Sequence, residues 1–304
     1  WFDGSGGEIT VEDPEPGRTA FVYAEGGREA AAAALDAAEA GGAAWRGLTA
    51  SARAEVLWTA SRLVRERSEA LAELEAVSAG KPIRDTRVEV ARVAEMLAYY
   101  AGFADKLTGD VVPVPTSHLN IVTREPLGTI VQLTPWNAPV FTAGWQIAPA
   151  LAAGNAVVLK PSELTPASSL ALARIVHEAG VPPGALNVVA GFGTTTGERL
   201  VSDARVGKVV FIGSVATGRR VAAADAAAGR PALLELGGKS ANIVFADGDL
   251  ARAAKAAQAA IVAAAGQSCT AGSRLLVERP AYEKLVAWVA EGAGRLAVGR
   301  PLDP

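Results

Sequence analysis

The sequence predicts an α/β protein, a parallel sheet with helices on both faces, and three observations carry that expectation. Apolar residues repeat at helical spacing from residue 27 to residue 108, and the period changes at Leu119. Beyond that point short apolar runs alternate with helical segments, which is the pattern of successive strand–helix units. With 304 residues, 50% of them hydrophobic, the chain is long enough for a large core and, by length, for two domains.

In the helical stretch, Leu57, Ala60, Val64, Leu71 and Leu74 fall on one face. Val90, Val93, Leu97 and Tyr100 recur at the same spacing, and Gly80-Lys81-Pro82 separates the last two helices. Extended segments follow at 119–123 and 129–133. Four further runs, 156–160, 186–190, 208–212 and 233–236, are expected to be strands buried on both faces. Helices are expected at 166–179, 195–201 and 216–228, and a further apolar helix at 250–265 leads into Gly266-Gln267-Ser268-Cys269. A strand-like Leu275-Leu276-Val277 comes next. Ligands of parallel sheets bind beyond the carboxyl ends of the strands. Lys160-Pro161-Ser162-Glu163, Gly191-Phe192-Gly193, Gly213-Ser214 and Gly237-Gly238 therefore carry the most weight.

Composition excludes several functions. The 29 basic residues, scattered among 32 acidic ones, give a net charge of −3, so a nucleic-acid or anionic-membrane partner has little support. One cysteine excludes an intrachain disulfide, and the separated His118 and His177 exclude the common zinc spacings, so no metal site is expected. The longest uncharged stretch, 126–159, is interrupted by Pro135, Asn137, Pro139, Gln146, Pro149 and Asn155. It fits buried strand, loop and helix better than a membrane span. The amino end shows neither a basic nor an apolar leader region, so a cytoplasmic location is expected.

Two glycine motifs fail on spacing. Gly238-Lys239-Ser240 lacks the glycine that a P-loop needs six residues before the lysine, because Leu233 stands there, and Arg219-Arg220 follow Gly218 where Lys and Ser or Thr are required. Gly191-Phe192-Gly193 with Gly197 is one residue longer than the usual dinucleotide fingerprint. For Cys269, two readings stand: a small buried hydrophobe, or a nucleophile whose small polar flanks allow close approach. A Cys–His pair would need His118 or His177, and an ordinary core or surface role suits both better.

Four separated segments nevertheless occur together in order. Thr134-Pro135-Trp136-Asn137, Val158-Leu159-Lys160-Pro161-Ser162-Glu163, Leu234-Glu235-Leu236-Gly237-Gly238-Lys239 and Gly266-Gln267-Ser268-Cys269 resemble the signatures of the aldehyde dehydrogenase superfamily. Phe211-Ile212-Gly213-Ser214 with Gly218, and Gly180-Val181-Pro182-Pro183-Gly184, match as well. The resemblance covers essentially the whole chain. It implies a Rossmann-type cofactor domain from 1–107 and 127–236, a bridging and oligomerisation segment at 108–126, and the first part of an α/β catalytic domain at 237–304. Family members continue well past the position of Pro304, so the resemblance implies the amino-terminal portion of a longer chain.

The resemblance also implies chemistry. Cys269 as thiolate adds to an aldehyde carbon, hydride passes to a nicotinamide, and the resulting thioester is hydrolysed by water that Glu235 activates. Asn137 and the Cys269 backbone N–H would hold the oxyanion. Taken alone, Asn137 is also suited to a turn between two prolines, and Glu235 to a pair with Lys239 or Arg274. Cofactor contacts are implied at Trp136, Lys160, Ser162, Glu163, Gly193, Gly197, Phe211, Gly213, Ser214, Leu236 and Gly237. Gly213-Ser214 suits a pyrophosphate and, equally, a helix cap. A carboxylate at Glu163 favours NAD over NADP, because it accepts from a ribose hydroxyl and repels a 2′-phosphate. Phe141 and Trp145 would line the substrate tunnel, although core packing explains a tryptophan there as well. The partners implied are a small-molecule aldehyde and further copies of the chain, as homodimer or homotetramer. The alternative is a short, catalytically weak relative that binds nucleotide or a partner.

Overall fold

The computed structural model describes residue 4, residues 6–14 and residues 18–303. Residues 1–3 and 5, on which the expected absence of a leader partly rests, lie outside the described residues, as does Pro304. An antiparallel hairpin, β1 (Glu8–Glu12) and β2 (Thr19–Ala24), precedes four helices. These are α1 (Gly27–Arg46), α2 (Ala50–Glu66), α3 (Ser68–Ala79) and α4 (Ile83–Ala101). Thr49 caps α2 by accepting from Ala52 N at 3.1 Å. α3 stops at Gly80, whose φ of 65° is a left-handed conformation that disfavours a Cβ. Most of the expected apolar face is buried, but Leu74 is only half-buried, and the adjacent fully buried position belongs to Glu75.

A short antiparallel ribbon of β3 (Asp110–Val112) and β4 (Asn120–Val122) holds the expected 119–123 strand apart from the main sheet. The main sheet then forms from β5 (Thr129–Leu133), β6 (Ala156–Lys160), β7 (Leu186–Val188), β8 (Val206–Gly213) and β9 (Leu233–Leu236). Its crossovers contain α5 (Pro139–Ala152), α6 (Ala167–Glu178), α7 (Glu198–Val201) and α8 (Val215–Ala227). All strands pair in parallel in the order β7-β6-β5-β8-β9. The chain moves outward from β5 to β7 and returns to the other side of β5 with β8. That reversal opens a crevice at the carboxyl ends of β5 and β8.

Alternate residues along β6 serve opposite layers. Val157 and Leu159 join a core with α2, α4, α5 and α6, whereas Ala156 and Val158 join one with α1, α7 and α8. Close helix contact depends on Gly144, where a Cβ would stand 2.6 Å from Val93 Cγ1 of α4.

Three expectations need correction. β7 and β9 are edge strands and β8 is only part-covered, so burial on both faces holds at 156–160 but fails at the other three runs; β7 also stops at Val188, and Leu233 of β9 is 47% exposed. The 195–201 helix is a π-helical turn at Gly193–Gly197 followed by the short α7. The 250–265 helix ends early: α9 (Leu250–Val262) gives way to left-handed backbone at Ala264 and Ala265. The carboxyl-terminal unit consists of β10 (Ala241–Val244) paired in parallel with β11 (Arg274–Val277), against α9 and α10 (Tyr282–Ala293). Its buried centre is small, formed by Val244, Ala254 and Leu285. Among the described residues no helix is long and apolar enough to cross a membrane.

Candidate active site

A cleft of about 1880 Å³ lies at the carboxyl ends of the main-sheet strands, and every residue expected from the family resemblance to contact cofactor or substrate or to take part in catalysis borders it. Trp136 and Asn137 come from the turn after β5, and Phe141 and Trp145 from the first turns of α5. Lys160, Ser162 and Glu163 follow β6, and Gly193 and Gly197 belong to the turn before α7. Phe211, Gly213 and Ser214 end β8, Glu235, Leu236 and Gly237 end β9, and Cys269 arrives from the loop after α9.

One end of this cleft is built around Lys160. Its ammonium is almost fully buried, donates to Pro161 O at 2.8 Å and stands 3.6 Å from Glu163 Oε2. Burial pulls Lys160 below the ordinary lysine value, while the Glu163 and Glu25 carboxylates oppose that shift. Tyr23 of β2 donates to Glu163 O at 2.9 Å, and burial, with the Glu163 and Glu25 charges, pushes Tyr23 well above its ordinary value. Glu25 also holds the 191–197 turn, accepting from Phe192 N at 3.3 Å and from the Thr195 hydroxyl.

Ser214 caps α8 by accepting from Thr217 N at 3.2 Å. Small residues keep the backbone close here: a Cβ on Gly213 would lie 2.6 Å from Phe211 Cζ, and one on Gly218 would lie 2.5 Å from Leu236 Cδ2. Thr134 Oγ1 and Thr196 Oγ1 are buried with no protein partner. A capped helix amino terminus in the same cleft as a buried ammonium and its part-exposed carboxylate partner can hold a diphosphate and a ribose.

The other end contains Cys269, Asn137 and Glu235, the groups expected to carry the chemistry. Cys269 is exposed, so the reading as a buried hydrophobe does not hold. Asn137 Nδ2 donates to Gln267 O at 2.8 Å, which ties the β5 turn to the cysteine loop instead of closing a local turn. Glu235 is exposed and, among the described residues, makes no ion pair. Lys239 Nζ donates to Gly238 O at 3.2 Å and Arg274 Nε to Lys239 O at 2.8 Å, so neither neutralises it. Phe141 and Trp145 place their ring centroids 5.5 Å apart, and Trp145 is exposed, which core packing does not explain. His118 and His177 lie away from the cleft; His118 Nδ1 meets Ser117 Oγ, and both nitrogens of His177 meet backbone carbonyls. No Cys–His pair forms.

Sequence reasoning missed the support behind these groups. Glu75 Oε2 accepts from Val140 N at 3.3 Å and from Ser168 Oγ at 2.5 Å, while its Oε1 accepts from Lys81 Nζ at 2.8 Å. The first turn of α5, which lacks a side-chain cap of its own, is thereby capped from α3. Lys81 also pairs with Glu89, which borders the cleft, and burial raises Glu89 above the ordinary glutamate value against the pull of Lys81. A glutamate on an otherwise apolar face was the one sequence signal available.

Fold and cleft together define the class: a doubly wound, Rossmann-type α/β chain with an exposed thiol on the cleft wall. The model of the aldehyde dehydrogenase family matches residues 1–304, and the chain belongs to that family. It is 41% identical over 282 residues to betaine aldehyde dehydrogenase of Bacillus subtilis (strain 168), across 91% of this chain and 57% of that protein. The crystal structure of PnpE in complex with nicotinamide adenine dinucleotide superposes with a TM-score of 0.97 at 40% identity, across 100% of this chain and 63% of that one. A crystal structure of an E. coli NADP-dependent enzyme gives 0.96 at 35% identity, with 100% of this chain and 63% of that one covered. The chain therefore spans about three fifths of the length of these relatives.

Proposed function

We propose that this chain serves the oxidation of an aldehyde to its carboxylic acid with NAD as acceptor. The carrying observation is convergence: Asn137, Glu235 and Cys269 come from three separate segments and border one cleft. Cys269 as thiolate forms a bond to the aldehyde carbon, and its backbone N–H with the Asn137 amide stabilises the charge that develops on oxygen, each donor contributing about 3 kcal/mol. NAD, when bound, supplies the hydride acceptor that leaves a thioester on Cys269. Glu235, free of a cationic partner, takes a proton from water, which adds to the thioester; the acid departs and the thiolate returns.

Lys160 and Glu163 support the ribose, with Ser162 in the turn between them, and Gly193 and Gly197 form the opposite rim. Phe211, Gly213 and Ser214 support the diphosphate, while Trp136, Leu236 and Gly237 line the path to the thiol. A carboxylate at Glu163 favours NAD over NADP, although a relative with NADP dependence shares the fold. Phe141 and Trp145 form the aldehyde entrance. In this reading 1–107 and 127–236 are the cofactor domain and 237–304 begin the catalytic domain. The 108–126 segment bridges subunits of a cytoplasmic homodimer or homotetramer; its exposed Val111, Leu119 and Ile121 support an interface.

The test is NADH formation from a panel of aldehydes by the chain and by Cys269→Ser. Turnover lost in Cys269→Ser with NAD affinity retained supports the reading; equal turnover overturns it. The exposed apolar surface of the carboxyl-terminal unit favours a second reading, in which the chain binds NAD with little turnover. NAD binding without NADH formation selects that one.

A further inference from the structure

The loop bearing Cys269 is held by residues far from the cleft motifs. After α9, Ala264 and Ala265 adopt φ of 52° and 58°, left-handed backbone that residues with a Cβ rarely occupy. Such a turn persists only where its surroundings over-determine it. The structure contains that support: Ala264 N donates to Asp85 Oδ2 at 2.9 Å, although the two residues are 179 positions apart. Three residues on, Gln267 Nε2 donates to Ala79 O at 3.1 Å, at the end of α3. Gln267 O in turn accepts from Asn137 Nδ2 at 2.8 Å. The corner between α3 and α4 thus grips the cysteine loop twice, and the loop grips the asparagine. The same corner fixes the far side of the cleft, because Glu75 caps α5 at Val140 N.

We propose that Asp85 is a positioning residue: by holding the left-handed turn at Ala264 and Ala265, it sets Cys269 in register with Asn137. The α3–α4 corner is the common reference for both. This rests on the aldehyde dehydrogenase reading for the purpose of the alignment, but the alignment itself can be measured without turnover. Asp85 touches neither the thiol nor the cleft contents; it acts through the backbone of Ala264.

Cys269 is the only cysteine, so alkylation by iodoacetamide reports on that site alone. The experiment compares alkylation rates between pH 6 and 9 for the unmodified chain, Asp85→Ala, Asp85→Asn and Ala264→Gly, beside thermal midpoints and NAD affinity. Asp85→Ala removes the acceptor, and its alkylation rate is expected to fall about fivefold or more through loss of the charged hydrogen bond. Asp85→Asn keeps an acceptor without the charge and is expected to restore most of the rate. Ala264→Gly, which adopts the turn without strain, is expected to match the unmodified chain.

An Asp85→Ala rate equal to or above that of the unmodified chain overturns the proposal. An Asparagine variant as slow as the alanine variant also overturns it, since charge and not the held turn would then set the thiol's reactivity. A general loss of folding would lower the midpoint and NAD affinity together in Asp85→Ala, and with Asp85→Asn and Ala264→Gly still folded, their rates decide the question. Failure of the aldehyde dehydrogenase reading looks different: NAD does not bind and no NADH forms, while the order of alkylation rates stands.

Discussion

The two walls of the cleft are built on different principles. The wall from β5, β6 and β8 is the carboxyl-terminal edge of a sheet with helices on both faces, and its cleft-lining side chains inherit their positions from β5 and β6, buried along their whole length, and from β8, buried at Val206, Val209 and Phe211. The wall with Cys269 comes from a unit whose core is three buried residues, and Ile243, Leu276 and Val286 are exposed on it. What ties that wall to the rest is a handful of hydrogen bonds, two to the α3–α4 corner and one to the turn after β5. Packing places the first wall; polar contacts across long sequence separations place the second.

Substitutions that remove equivalent groups from the two regions sharpen this contrast. Trp45 is fully buried and donates Nε1–H to Leu151 O at 2.8 Å, so Trp45→Ala is expected to cost about 3–5 kcal/mol in denaturant unfolding. Trp288→Ala, in the half-buried core between α9 and α10, is expected to cost only about 1–2 kcal/mol. Equal losses would break the comparison. Lys81→Met leaves Glu75 and Glu89 without their cation inside the corner, and about 3 kcal/mol of destabilisation is expected, because an uncompensated buried charge outweighs the gain in apolar burial.

Stability should also depend on pH with opposite signs at two places. Asp203, held far below the ordinary aspartate value mainly by its hydrogen bond to Arg205, contributes stability above that ordinary value and loses it as pH falls. Glu89, raised mainly by burial, binds its proton more tightly in the folded state. Its contribution therefore declines as pH rises from the ordinary glutamate value through the raised one. In denaturation followed against pH, Asp203→Asn should flatten the acid limb and Glu89→Gln should remove the decline above it. The smallest effect belongs to Ile243→Thr on the exposed face, within about 0.5 kcal/mol in the same assay.

The same contrast explains what was legible in the sequence. β5, β6 and β9 have the bounds expected from their apolar runs, because each run ends where the chain leaves the sheet at a turn. Many of the cleft residues were legible for a related reason, since most of the motifs that carry the family resemblance lie at strand ends; Phe141 and Trp145 on α5 and Cys269 after α9 were legible through the resemblance alone. β1 and β2 were missed although Glu8–Glu12 alternates buried and exposed positions, since one five-residue run outside the main sheet gives little periodic signal. The end of α9 could not be seen in an alanine-rich run, because the contact that holds the turn comes from Asp85 in another helix. Glu75 was invisible for the same reason: a buried carboxylate makes sense only beside Lys81, Ser168 and Val140, which folding brings to it.

The most direct test of the central claim is a single-turnover reaction of Glu235→Gln with NAD and an aldehyde that the unmodified chain oxidises, followed by NADH release and intact mass. Without the carboxylate proposed to activate water, about one NADH per chain is expected, with an acyl adduct on Cys269 that persists. Continuous turnover at the unmodified rate, or an NADH burst with no adduct on Cys269, would contradict it.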